Sequence, residues 1–288
     1  MAYHFRQPQR QNHHQHRIDN DELEISVDEH IQESLPSSST QIEINLQESG
    51  IETLPEYYLL MEAPETVHNI ALGGNRIMQL PSEISIFSNL NSLSLCGNVL
   101  TNLPEQLGNL KQLRYLDVRN NLLETLPKSF AQLNRLQSIN LSGNHFTQIP
   151  ATIFELSTIR ALYLGANRIQ QIPNAIGSLI SLNILYLGGN RLREIPATIG
   201  RLLNLTALSL CDNQLESIPT TIADLQALST LALHSNLLTT LPIEIVRLRN
   251  LEHLSLRNNP LESSDSEGIN DEWPSTSSDY KLRKIMLG

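Results

Sequence analysis

The chain has 288 residues, of which 51 are leucine and only 5% are aromatic, and this imbalance points to one small unit packed many times over. Its formal charge of −10 argues against a non-specific nucleic-acid binder, which needs a basic field to meet phosphates. Two cysteines fit a reducing compartment, and no stretch approaches the roughly 18 apolar residues of a membrane span, so a soluble cytoplasmic protein is expected, with no membrane or nucleic-acid partner.

Residues 1–40 hold five of the nine histidines, many Gln and Ser, and seven acidic against three basic residues, a composition that predicts a disordered tail. Its start, MAYHFRQPQRQNHHQHR, has no signal-peptide core, and Ala2 excludes N-myristoylation. His13, His14 and His16 read as a solvated segment rather than a metal site. The repeat domain, 41–261, opens on an irregular unit in which Ile44, Leu46, Ile51, Leu54 and Pro55 fit the later pattern if Ser49 stands for its asparagine. The next unit follows 26 residues on, the irregularity expected where a solenoid begins.

From there asparagine recurs every 23 residues, at Asn75, Asn98, Asn121, Asn144, Asn167, Asn190, Asn213, Asn236 and Asn259. Aliphatic residues flank each at fixed offsets, and proline follows six residues after the first eight. In LYLGGN (185–190), Leu185 and Leu187 alternate with Tyr186, so both leucines face inward and the tyrosine outward on a short strand. An asparagine in the following turn can donate and accept at once, satisfying loop backbone groups that would otherwise be buried unpaired. Proline then sends the chain to the outer side, where PATIGRLLNL (196–205) returns Ile199, Leu202 and Leu205 to the core through a short helix or 3₁₀ turn. This is the leucine-rich repeat. The pattern predicts an α/β solenoid of about ten repeats, a right-handed monomeric horseshoe with a concave parallel sheet. Residues 262–288 form an acidic Ser-rich tail, in which Ser264 before Glu267 suits an acid-directed kinase.

No HExxH, GxSxG, P-loop, GxGxxG or CxxC occurs, so an enzyme is not expected and no cofactor is called for. Cys211, Asp212, His234 and His253 come from neighbouring repeats and could converge as metal ligands for a metal-dependent enzyme. The reading preferred is that they are variable strand residues with no metal between them. Cys96 and Cys211 occupy equivalent positions five repeats apart, about 24 Å at the strand spacing, and are expected to be free thiols. The sequons at Asn140 and Asn204 are expected to be unmodified without a secretory signal.

Specificity in a repeat scaffold resides in the outward strand positions. One such column runs Ala71, Ser94, Asp117, Asn140, Tyr163, Tyr186, Ser209, Ala232, Ser255, and the next Gly73, Cys96, Arg119, Ser142, Gly165, Gly188, Cys211, His234, Arg257. Most entries are small. Tyr163 and Tyr186 fall on adjacent rungs beside Gly165 and Gly188, with Ile184, Arg160, Arg168, Arg191 and Arg193 on the same two repeats, a Tyr/Arg mixture typical of interface hot spots. These residues, with Cys211, Asp212 and His234, make up the expected partner-binding surface. The competing reading is tyrosine stacking that only stabilises the sheet. Tyr115, Asp117 and Arg119 form a weaker group, read as a solvated face.

The repeats LYLGGNRLREIP, LSLCDNQLESIP, LALHSNLLTTLP and HLSLRNNPL, and the closing KIMLG, resemble those of the leucine-rich repeat-containing protein 58 family, an intracellular animal family. The resemblance is best over residues 139–261, with LCDN and NLLTTLP its most telling parts. It implies a protein-recognition module, and in that family a substrate receptor of a cullin-type ubiquitin ligase. Family members continue past the NPL motif with a cysteine-rich segment that has no counterpart in the 27 residues after Leu261, so no residue for cullin recruitment is carried over. The function expected is binding of an unidentified protein on the concave face, with recruitment for ubiquitination as its specific form. The alternative is a signalling scaffold for a small GTPase or phosphatase.

Overall fold

A computed structural model of the protein describes residues 42–261. The expectations for the two tails, with His13, His14, His16 and Ser264, fall outside the described residues. Ten strands form one parallel sheet in sequence order. They are β1 (Ile42–Asn45), β2 (Val67–Ala71), β3 (Ser92–Ser94), β4 (Tyr115–Asp117), β5 (Ser138–Asn140), β6 (Ala161–Tyr163), β7 (Ile184–Tyr186), β8 (Ala207–Ser209), β9 (Thr230–Ala232) and β10 (His253–Ser255). The aliphatic residue at the centre of each triplet from β3 to β9, such as Leu162 or Leu185, is essentially inaccessible. Units of one length keep the register constant from β2 to β10. The single slip lies between Ile42 and Glu43, beside the 26-residue unit. There the extra residues form a helical turn, Glu56–Leu59, and a 3₁₀ turn, Pro64–Thr66.

Each of the next eight units crosses the outer side through a five-residue 3₁₀ segment that begins directly after the proline, as in Ala197–Arg201 after Pro196. Pro196, at φ −68° and ψ 145°, has the extended geometry its ring enforces, and its carbonyl accepts from the N–H of Ile199 at 3.0 Å. Ile199, Leu202 and Leu205 are all fully buried. The architecture is a leucine-rich-repeat solenoid with its parallel sheet on the concave face.

The asparagine column closes each turn. The carboxamide oxygen of Asn167 accepts from the N–H of Phe146 in the preceding unit at 3.1 Å. Its Nδ2 donates to Leu164 and Gly165 of its own unit and back to Leu141, all at 3.0–3.1 Å. The other eight asparagines repeat this pattern. Among the described residues, the Ser49 hydroxyl of the first unit donates only to the Gln47 carbonyl.

The residue before each asparagine has a positive φ. Glycine fills this left-handed position at Gly74, Gly97, Gly143 and Gly189, but Asn120, Ala166, Asp212, Ser235 and Asn258 also adopt it. Ala166, at φ 51°, carries a Cβ in a region where it crowds the following carbonyl and has no polar side chain to compensate.

Two stability changes follow. Asn167→Ala leaves several buried backbone groups without partners and lowers unfolding stability by about 3 kcal/mol in urea titration, whereas half-buried Asn259 on the last rung costs about 1 kcal/mol or less. Ala166→Gly relieves the left-handed strain and raises the unfolding midpoint, a gain of about 0.5–1 kcal/mol.

Candidate functional site

The core uses the central residue of each strand, so the flanking columns are what a partner can meet. On β6 and β7 the paired columns place Ala161 beside Ile184 and Tyr163 beside Tyr186. Ile184 stands between Ala161 and Ala207, so no neighbour in its column covers its side chain. Tyr163 and Tyr186 make an edge-to-face contact with ring centroids 5.2 Å apart and planes at 85°. The strand spacing sets that separation, and the quadrupoles of the two rings favour the perpendicular arrangement. Both rings are half-buried, so stacking within the sheet and an accessible aromatic surface coexist. Neither phenol hydroxyl makes a hydrogen bond among the described residues.

The arginines lie at the two rims. Arg160 immediately precedes β6, while Arg168, Arg191 and Arg193 follow the ladder asparagines Asn167 and Asn190 on the loops. All four are exposed, and none forms an ion pair among the described residues. No Asp or Glu occurs from residue 156 to 193, so a positive strip crosses an otherwise acidic protein around the tyrosine pair. By contrast, Arg119 Nε lies 3.4 Å from Asp117 Oδ2, and Asp117 Oδ1 accepts from the Arg119 N–H, so that group is satisfied within itself.

Cys211, Asp212 and His234 come together on the two rungs directly after this strip, following β8 and β9, with their ligand atoms all within 4.8 Å of one another. His253, on β10, is exposed and does not join them. His234 Nε2 is 3.9 Å from Asp212 Oδ2, and its Nδ1 is 3.2 Å from Ser255 Oγ. Burial pushes the Cys211 thiol up, as does the Asp212 charge, against a smaller opposing hydrogen bond from Ser209. A thiol held in its protonated form is the opposite of an activated cysteine nucleophile. Cys96 and Cys211 are both free thiols. No helix among the described residues is long and apolar enough to cross a membrane.

Sequence reasoning missed Ser255 and Ser209 as partners and missed the left-handed backbone at Asp212. The recurring glycine before Asn75, Asn98, Asn144 and Asn190 is the signal that could have located that conformation.

The tyrosines supply a direct test of the geometry. Burial, with a smaller contribution from Tyr186, pushes Tyr163 up to about 12, and burial pushes Tyr186 upward as well. The folded state therefore keeps these protons longer than the unfolded state does. The associated stability is complete below pH 10 and is lost as pH rises toward about 12. Ultraviolet titration of tyrosinate should show a late-ionising class, and Tyr186→Phe should move the Tyr163 transition to lower pH.

Two family models match the chain: a leucine-rich repeat region over residues 78–187 and a leucine rich repeat over residues 203–261. A search of curated proteins finds no match. Among solved structures, the chain is similar to the Arabidopsis receptor kinase HAESA in complex with the peptide hormone IDA and the co-receptor SERK1. The identity is 30% and the TM-score 0.68, over 78% of this chain and 39% of that one. It is also similar to the ectodomain of GASSHO1/SCHENGEN3 from Arabidopsis thaliana in complex with CASPARIAN STRIP INTEGRITY FACTOR 2. There the identity is 27% and the TM-score 0.57, over 72% of this chain and 31% of that one. The chain thus spans two fifths or less of the length of these receptor chains. The matches are to the repeat itself, and they establish that the chain carries leucine-rich repeat regions over residues 78–187 and 203–261.

Proposed function

We propose that this protein is a cytoplasmic recognition module that binds another protein on the concave face of its sheet, across β6 and β7. The observation that carries the reading is the half-buried Tyr163–Tyr186 pair, with both hydroxyls unpaired, inside a strip of uncommitted arginines. Aromatic side chains held rigid by each other lose little entropy on binding, and arginine can pair bidentately with carboxylates. The partner segment that fits is extended or loop-like, apolar enough to cover Ile184 and the rings, and acidic at its edges. The structural neighbour HAESA is seen with the peptide hormone IDA, which supports a peptide-like epitope. The specific form proposed is substrate recruitment to a cullin-type ubiquitin ligase, and its support is the sequence resemblance over residues 139–261.

Affinity purification of the full chain from cells, followed by mass spectrometry, tests both levels. A protein captured by the wild type and reduced at least about tenfold by Tyr163→Ala with Tyr186→Ala supports the surface. Unchanged capture of every partner by the double variant would refute it. Cullin and adaptor subunits among the captured proteins support the ligase role, whereas a GTPase or phosphatase without them favours a signalling scaffold.

A further inference from the structure

We infer that Cys211, Asp212 and His234 form a binding site for a zinc-class divalent cation on the concave face, with a fourth coordination position open to solvent. The inference needs no protein partner and stands apart from the reading above. Sulfur, nitrogen and oxygen donors of this kind are the set that zinc accepts, and three protein ligands leave one tetrahedral position free. Tetrahedral geometry around zinc, at the usual bond lengths, separates such donors by about 3.4–3.6 Å. The observed separations, 3.9 Å for the Asp212–His234 pair and no more than 4.8 Å for any pair, require contraction of about 0.5 Å for that pair and at most about 1.4 Å for any other.

The backbone already aims the ligands. Cys211 and Asp212 are consecutive, and consecutive side chains on a regular strand diverge to opposite faces. Asp212 instead has a φ of 51°, and this left-handed turn brings its carboxylate back beside the thiol. The Asp212 N–H donates to the His234 carbonyl at 3.0 Å, which fixes the two rungs against each other. Ser255 Oγ lies against His234 Nδ1, and with Nδ1–H donating to it, the Nε2 lone pair faces Asp212 and Cys211. Space for the sulfur comes from Gly188 on the preceding rung, where a Cβ would lie 2.7 Å from Cys211 Sγ. Binding takes the thiol proton to solvent: Cys–SH and the dication yield a metal-bound thiolate and a released proton.

The protein contains its own control. Cys96 stands in the same column, leaning over Gly73 at the same 2.7 Å, with Ser94 beside it as Ser209 is beside Cys211. There the following residue is Gly97 and the next rung offers Arg119, so the carboxylate and imidazole are both replaced. The two thiols differ in ligand set and not in setting.

Apo full-length protein titrated with cobalt(II) reports thiolate ligation through sulfur-to-metal charge-transfer absorption, and zinc affinity is read by competition with a chromophoric chelator. The wild type and Cys96→Ser should show a saturable charge-transfer band that Cys211→Ser abolishes. Zinc affinity should fall about tenfold or more in Cys211→Ser and in His234→Ala, and Ser255→Ala should weaken it about tenfold while keeping the band. Circular dichroism confirms the fold of each variant, and the Ser255→Ala and His234→Ala data carry the test if Cys211→Ser unfolds. Absence of the band in the wild type, or a band lost in Cys96→Ser and kept in Cys211→Ser, overturns the site. Zinc affinity unchanged in both Cys211→Ser and His234→Ala overturns it as well.

Discussion

One side-chain carboxamide, repeated at every turn, allows the rest of the molecule to exist. A chain that leaves a strand and immediately reverses toward the outer face exposes backbone N–H and C=O groups to the core, where water cannot reach them. Each asparagine answers this by accepting one N–H from the unit before and donating to carbonyls of both units, as Asn190 does for Ile169, Leu164 and Leu187. No other neutral side chain of that size carries both a two-donor amide and a carbonyl acceptor. Because the bonds cross between units, the column is also the bolt that fixes neighbouring rungs at one register.

Fixed register has a consequence for specificity. The core columns are committed to apolar residues, mostly leucine and isoleucine, so polar variation is confined to positions whose location on the concave face is set by the period. A large residue in such a column meets the same column of the next rung, and nothing else in the chain decides its neighbour. Tyr163 meets Tyr186 for this reason, and Asp117 has Asn140 beside it in its column while its ion pair is with Arg119 of its own unit. The left-handed position before the asparagine is part of the same constraint. It recurs in every described unit, whether or not the sequence supplies glycine, because the turn is dictated by the hydrogen bonds on either side of it. Ala166 shows the turn overriding local preference.

Much of this was legible in the sequence, and the part that was not has a physical cause. The 23-residue spacing fixed strand, turn and outer segment, and the apolar offsets identified core residues such as Ile199, Leu202 and Leu205, all of them buried. The outward columns could also be written down, which put Tyr163, Tyr186 and Ile184 on adjacent rungs. Side-chain packing was not legible. Whether two tyrosines lie open or edge to face depends on rotamers that periodicity does not specify. The Cys211, Asp212, His234 and His253 group divides for a backbone reason: the left-handed φ of Asp212 turns its carboxylate toward Cys211, while His253 occupies a different column one rung beyond His234. Alternation alone would have sent Cys211 and Asp212 to opposite faces.

The small residues of the concave face are therefore as much a part of its chemistry as the large ones. Gly188 follows Tyr186 by two positions and lies beneath Cys211, whose sulfur occupies the space a Cβ would take. Gly165 approaches the Gly188 carbonyl so closely that a Cβ there would sit 3.3 Å from it. A methyl at either position would crowd the backbone or the sulfur before it touched any ligand. Glycine at these rungs leaves the tyrosine rings and the thiol their positions, and the small neighbours Ala161, Ala207 and Ser209 leave them accessible. On a surface whose register cannot slip, omitting a side chain locates a site as firmly as supplying one.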